Sequence, residues 1–170
     1  MNFWYAVYTN PRSEKRAHAE LISKGIDSYL PLQRTLRQWS DRKKWVEEPL
    51  FRSYLFVNIS KSGYFDVLNT TGVVRYVTFE GKAVPIPPKQ IEAIKYFLSG
   101  QETLQEESSI SHLVPGSEVE IIRGPLRGLT GILVEFHGQK KVRVEIEALG
   151  QFLNLSIALQ DIKMQLLTQN

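Results

Sequence analysis

From residue 113 onward the side chains change character at every step. Val119 and Ile121 alternate with Glu118 and Glu120, and Val142, Val144 and Ile146 alternate with Arg143, Glu145 and Glu147. Leu153, Leu155 and Ile157 repeat the pattern. A period of two fits strands with one buried and one wet face, and no helix satisfies it. Four or five short strands in so short a segment must pair with one another, and closure into a small barrel removes their exposed edges. Glycines punctuate the segment at Gly116, Gly124, Gly128 and Gly131, with Gly138 and Gly150 at further turns. Gly124-Pro125 ends one strand, and the next begins near Leu129. Glycine at such sites permits positive φ and close backbone approach.

The first half is built differently. Phe3 to Thr9 is aromatic and β-branched and predicts a strand. Asn10 is placed to cap a helix with Pro11 at its first position, carrying Ala17, Leu21 and Ile22 as its apolar stripe and ending at Gly25. Two extended runs follow, 26–36 and 45–59, the second centred on Tyr54-Leu55-Phe56-Val57. A short helix at 63–69, a strand from Val73 to Phe79 and a last helix opened by Pro85-Ile86-Pro87-Pro88 complete the half. The order β-α-β-β-α-β predicts a ferredoxin-like, split βαβ domain, so the fold class is α+β. Between the halves, residues 100–112 are polar and acidic and read as a tether. The predicted organisation is one domain over 1–99, a linker over 100–112 and a second domain over 113–170.

Charge divides at the same place. Residues 1–99 hold 15 Lys and Arg against 9 Asp and Glu, a net +6, while residues 100–170 hold 6 against 9, a net −3. A basic domain joined to an acidic one predicts two kinds of partner, the basic one suited to a polyanion. The chain has no cysteine, which excludes disulfides, thiol catalysis and cysteine-held zinc. His18, His112 and His137 are isolated, with no metal-ligand spacing, and no nucleophile elbow or phosphate-binding glycine loop is present. A binding protein without cofactor or metal, and not an enzyme, is expected. No apolar run spans a membrane, and the start Met1-Asn2-Phe3-Trp4 lacks a basic leader, so a cytoplasmic location is expected.

The text Gly116-Ser117-Glu118-Val119-Glu120-Ile121-Ile122-Arg123-Gly124-Pro125-Leu126-Arg127-Gly128-Leu129-Thr130-Gly131 resembles the KOW motif, found in transcription elongation factors and ribosomal proteins. Earlier strings resemble the NGN domain of the NusG family: Trp4-Tyr5-Ala6-Val7-Tyr8, Arg12 to Lys15, Pro49 to Val57, and Thr71-Gly72-Val73-Val74. The two stand in the family's order and together span nearly the whole chain. Phe51-Arg52-Ser53-Tyr54 replaces the Phe-Pro-Gly-Tyr usual in housekeeping members. With Trp4 near the start, it is similar to the specialised paralogs of RfaH type that serve polysaccharide operons.

The resemblance implies a bacterial elongation and antitermination factor, monomeric, that holds the RNA polymerase clamp closed. It implies docking on the clamp coiled coil through Tyr8, Tyr54 and Phe56. These should then be at least partly exposed on a sheet face that Trp4 and Ala6 share; the alternative is that they fill a core. It further implies contact with the non-template DNA strand in the transcription bubble. The candidates are Arg12, Lys15 and Arg16 on the first helix, expected to share a face near Arg75, together with Lys61, Thr70, Thr71 and Arg75 around the short helix, and Tyr64 for stacking. Through its KOW domain such a protein would recruit ribosomal protein S10 or Rho. A ribosome-associated RNA-binding KOW protein is the rival, disfavoured by the acidic second half. A second basic and aromatic run, Arg34, Arg37, Trp39, Arg42, Lys43, Lys44 and Trp45, reads as a solvated hairpin tip.

Overall fold

The computed structural model describes residues 1–100 and 113–165. Nearly all of the expected linker, 101–112, and the last residues, 166–170, lie outside them. By its contacts the chain divides into two compact units, Met1–Pro87 and Pro88–Asn170.

The first unit runs β1 (Phe3–Thr9), α1 (Glu14–Ser23), β2 (Asp27–Tyr29), β3 (Leu32–Gln38), β4 (Lys43–Pro49), β5 (Tyr54–Ile59), α2 (Tyr64–Leu68), β6 (Val73–Tyr76), β7 (Thr78–Phe79), β8 (Lys82–Ala83) and β9 (Pro85–Ile86). Its main sheet is antiparallel in the order β2-β5-β1-β6, with β9 also on β1. This is the split βαβ arrangement, with the β3–β4 ribbon inserted as a separate two-stranded sheet. β1 and β5 pair from Phe3↔Ile59 to Tyr8↔Tyr54. Val7, Leu55 and Val57 therefore share one face, where they pack with Ala17 and Leu21 of α1 and Val67 of α2.

The entry to α1 differs from its expectation. Pro11 does not open the helix; it occupies the second position of a turn closed by Ser13 N–H donating to Asn10 C=O at 3.0 Å. Arg12, the third residue of that turn, has φ +64°, as a type II turn requires. The helix starts at Glu14, whose buried carboxylate reaches away from its own backbone to accept from Ser53 N–H at 2.8 Å. At the other end Gly25 (φ +75°) caps as expected, and Ile26 N–H bonds back to Leu21 C=O.

The second unit holds α3 (Pro88–Leu98), β10 (Glu118–Ile121), β11 (Thr130–Phe136), β12 (Gln139–Ile146), β13 (Gln151–Leu155) and β14 (Ile162–Met164). The five strands form an antiparallel sheet in the order β13-β12-β11-β10-β14. The expected alternation is present: Val142, Val144 and Ile146 are buried while Arg143 and Glu145 are exposed. α3, which the sequence places at the end of the first half, lies against β12 and β13. Tyr96 Oη donates to Ser156 C=O at 2.9 Å, and Lys89 Nζ to Pro125 C=O at 3.0 Å.

The four glycines of the motif serve two purposes. Gly116, Gly124 and Gly128 have φ of +97°, +82° and +89° and open space where a Cβ would stand. Gly131 lies in β11, and a Cβ there would stand 2.5 Å from Arg143 O and 2.9 Å from Val142 Cγ1. Gly131→Ala must therefore push β12 away, at a cost of about 3 kcal/mol. Gly124→Ala meets only backbone strain, at about 1 kcal/mol. Denaturant unfolding of the two variants measures the difference, and equal losses would contradict it.

Candidate functional site

The outer face of the first sheet carries an aromatic patch. Because Val7, Leu55 and Val57 face the helices, Trp4, Ala6 and Tyr8 of β1 and Tyr54 and Phe56 of β5 must face the other way. Register adds Tyr29 of β2, opposite Phe56, and Arg75 of β6, opposite Tyr8. The Tyr8 and Tyr54 rings lie 4.8 Å apart, and the Arg75 guanidinium sits 4.4 Å from the centre of the Tyr8 ring. Both tyrosines are half-buried and Arg75 is exposed. Arg75 pairs with no carboxylate among the described residues. Burial, with the Tyr8 hydroxyl beside it, pushes the Tyr54 phenol from its ordinary 10.0 up to about 12.

Two expectations about this face are corrected. Phe56 is not exposed; its relative accessibility is 0%, beneath the Tyr29 ring (centroids 6.2 Å apart) and edge-on to Phe51. It supports the patch from below, while Tyr8 and Tyr54 present it. Arg75 does not join the cations of α1. Strand alternation puts it on the sheet face opposite the helices, because its neighbour Tyr76 fills the core.

The basic candidates separate. Arg12 and Lys15 line a cleft of about 620 Å³ whose other cations are Arg37 and Arg52, with Glu47 and Glu48 on the ribbon side. Lys15 Nζ donates to Glu47 C=O at 2.9 Å, and Arg37 pairs with Glu48. Arg16 is exposed on α1 outside that lining, and Lys61 is exposed before α2. Thr70 is buried, and its hydroxyl is used within the fold: it accepts from Lys24 Nζ at 3.0 Å and donates to Asp66 C=O at 2.9 Å. Thr71 is exposed, and its N–H donates to Glu20 at 3.2 Å. That bond and Lys24 hold the Glu20 carboxyl below its usual range. Tyr64 is not a free stacking surface, because its ring stacks on Tyr76 at 4.2 Å. Its exposed neighbour is Phe65, at 70% accessibility, which the sequence reading missed. A five-residue helix shows too little periodicity to tell which of two adjacent aromatics turns inward. Arg52 was also missed as a cleft residue, since nothing in the sequence brings it to Arg12.

Comparisons with known proteins bear on the family and the fold. A family model described as "Transcription termination factor nusG" matches residues 2–95, and one for the KOW motif matches residues 115–147. A structure of NusG from Thermotoga maritima, titled for its domain interaction, superposes with a TM-score of 0.57 at 20% identity, covering 96% of this chain and 97% of that one. The MjSpt4:Spt5 complex in its conformation A matches at 17% identity, covering 95% and 97%, with a TM-score of 0.33. Its conformation B matches at 18%, covering 95% of each chain, with a TM-score of 0.31.

The unequal burial of the patch is testable by stability. Phe56→Ala should cost about 3–5 kcal/mol in denaturant unfolding, as for a buried aromatic. Tyr54→Ala should cost less than about 2 kcal/mol. The Tyr54 phenol favours its protonated form in the fold, so its contribution is intact below pH 10.0 and declines as pH rises toward about 12. Ultraviolet titration should lose one late-ionising phenol in Tyr54→Phe. An ordinary tyrosine titration in that difference would contradict the burial argument.

Proposed function

Because this chain belongs to the NusG family, whose members are transcription factors, we propose that it is an operon-specific elongation and antitermination factor acting by binding and not by catalysis. The aromatic face carries the reading. Tyr8 and Tyr54 form a half-exposed, apolar pair, with an exposed cation, Arg75, laid over it. A surface of that kind suits a partner that offers apolar side chains together with carboxylates, as amphipathic helices do. The proposed partner is the clamp coiled coil of RNA polymerase. A protein that binds the closed clamp more tightly than the open one depletes the paused state by population shift.

The exposed cations Arg12, Lys15, Arg16 and Lys61, with the Thr71 hydroxyl, are proposed to contact phosphates of the non-template strand. Arg75 and Thr70 drop out of that role, the first to the aromatic face and the second to the fold. The KOW domain would recruit ribosomal protein S10 or Rho. The domain limits belong to the same reading: 1–99 for the NGN domain, 100–112 for the tether and 113–170 for the KOW domain, in a cytoplasmic monomer.

Affinity for core RNA polymerase, measured by fluorescence anisotropy of the labelled full chain, tests the reading. Tyr8→Ala, Tyr54→Ala and Arg75→Ala should each weaken binding about tenfold or more while leaving the fold intact. Arg16→Glu should leave docking near normal and weaken capture of the bubble's single strand, with a shallower fall of log affinity against log salt than in the wild type. Unchanged affinity in all three patch variants would refute clamp docking through this face.

A further inference from the structure

The β3–β4 ribbon carries a feature that the aromatic face and the α1 cations do not explain. It pairs with itself alone, from Leu32↔Pro49 to Gln38↔Lys43. Such ribbons are marginal in isolation. This one is held at its base by Lys15 Nζ on Glu47 C=O and by Leu50 N–H on Pro31 C=O, both at 2.9 Å. Toward its tip it places apolar rings in water: Trp45 is 57% exposed, and Leu36, directly opposite, and Trp39 are each 45% exposed. Each indole carries an arginine, Arg34 at 5.4 Å from the Trp45 ring centre and Arg42 at 5.8 Å from Trp39. Between residues 34 and 45 stand five cations, Arg34, Arg37, Arg42, Lys43 and Lys44, against one carboxylate, Asp41.

We propose that this ribbon is a second nucleic-acid site, one that binds single strands by stacking bases on Trp45 and Trp39 and holding phosphates with Arg42, Lys43 and Lys44. Lys43 shares the Trp45 face of the ribbon, two residues along β4, and Arg42 lies beside Trp39 at the tip, so stacking rings and phosphate-binding cations stand together. Stacking on an indole needs an unpaired base whose face is free. A duplex keeps those faces inside its own stack. The strong excess of cations selects a polyanion over a neutral peptide. Arginine already lying beside each indole orders the ring and adds a cation–π contact. The site uses neither Arg16 nor polymerase, so it can be judged separately from the function proposed above.

The test uses the full chain with a labelled single strand of about 15 nucleotides, and the same sequence as a duplex. Saturation with the single strand should quench tryptophan emission. Trp45→Ala and Trp39→Ala should each weaken binding about tenfold, with unchanged far-ultraviolet circular dichroism, since both side chains stand outside the core. Lys43→Gln with Lys44→Gln should lower the slope of log affinity against log salt by about 1.4, while Trp45→Ala leaves it unchanged. Wild-type affinity in both tryptophan variants, tighter binding of the duplex, or no binding at all would overturn the ribbon as a single-strand site. Loss on Arg16→Glu alone would assign the strand to α1 and equally overturn it.

Discussion

The antiparallel register of β1 on β5 governs the first unit. Six residue pairs, from Phe3↔Ile59 to Tyr8↔Tyr54, decide which side chain of each strand meets the helices. A slip of β1 by one residue would turn Val7 to the outer face and drive Tyr8 toward the helices. Neighbouring strands inherit the choice. Tyr76 turns inward beside Val7, so Arg75 must turn outward beside Tyr8. The outer patch is thus a consequence of the core, and its geometry is as fixed as the packing behind it.

Strands were the most legible part of the sequence because a period of two is short and repeats. The ferredoxin-like order and the alternation in β12 could be read directly. Features that depend on partners distant in the chain could not. Phe56 alternates correctly with Leu55, yet it is fully buried, with Tyr29 and Phe51 against its ring. Thr70 looks like a phosphate donor in isolation, and only the fold brings Lys24 to its hydroxyl. Pro11 is compatible with a helix start or with a turn. The fold takes the turn, closed by Ser13 N–H on Asn10 C=O, and Glu14 reaches Ser53 N–H across 39 residues of sequence.

Glycines carry comparable weight in the second unit. Three of the motif's four occupy positive φ, where the turn itself requires them. The fourth, Gly131, is needed because β12 passes too close for any side chain. One motif therefore records two constraints, chain reversal and strand approach, and the sequence alone does not separate them. Basic residues divide in a similar way: Arg12 and Lys15 line a cleft, Arg34 and Arg42 of the ribbon lie beside indoles, and Arg75 covers a tyrosine. A single count of net charge merges three surfaces with different chemistry.

Site-directed photo-crosslinking is the most direct test of the account's central claim, that the outer face of the first sheet is where RNA polymerase docks. A photoreactive phenylalanine analogue at Tyr54 should join the full chain to the largest polymerase subunit, within the clamp coiled coil. The same group at exposed Phe152, on β13 of the second unit, should not. Adducts from position 152 in the clamp, or none from position 54, would contradict the assignment of this face as the docking surface.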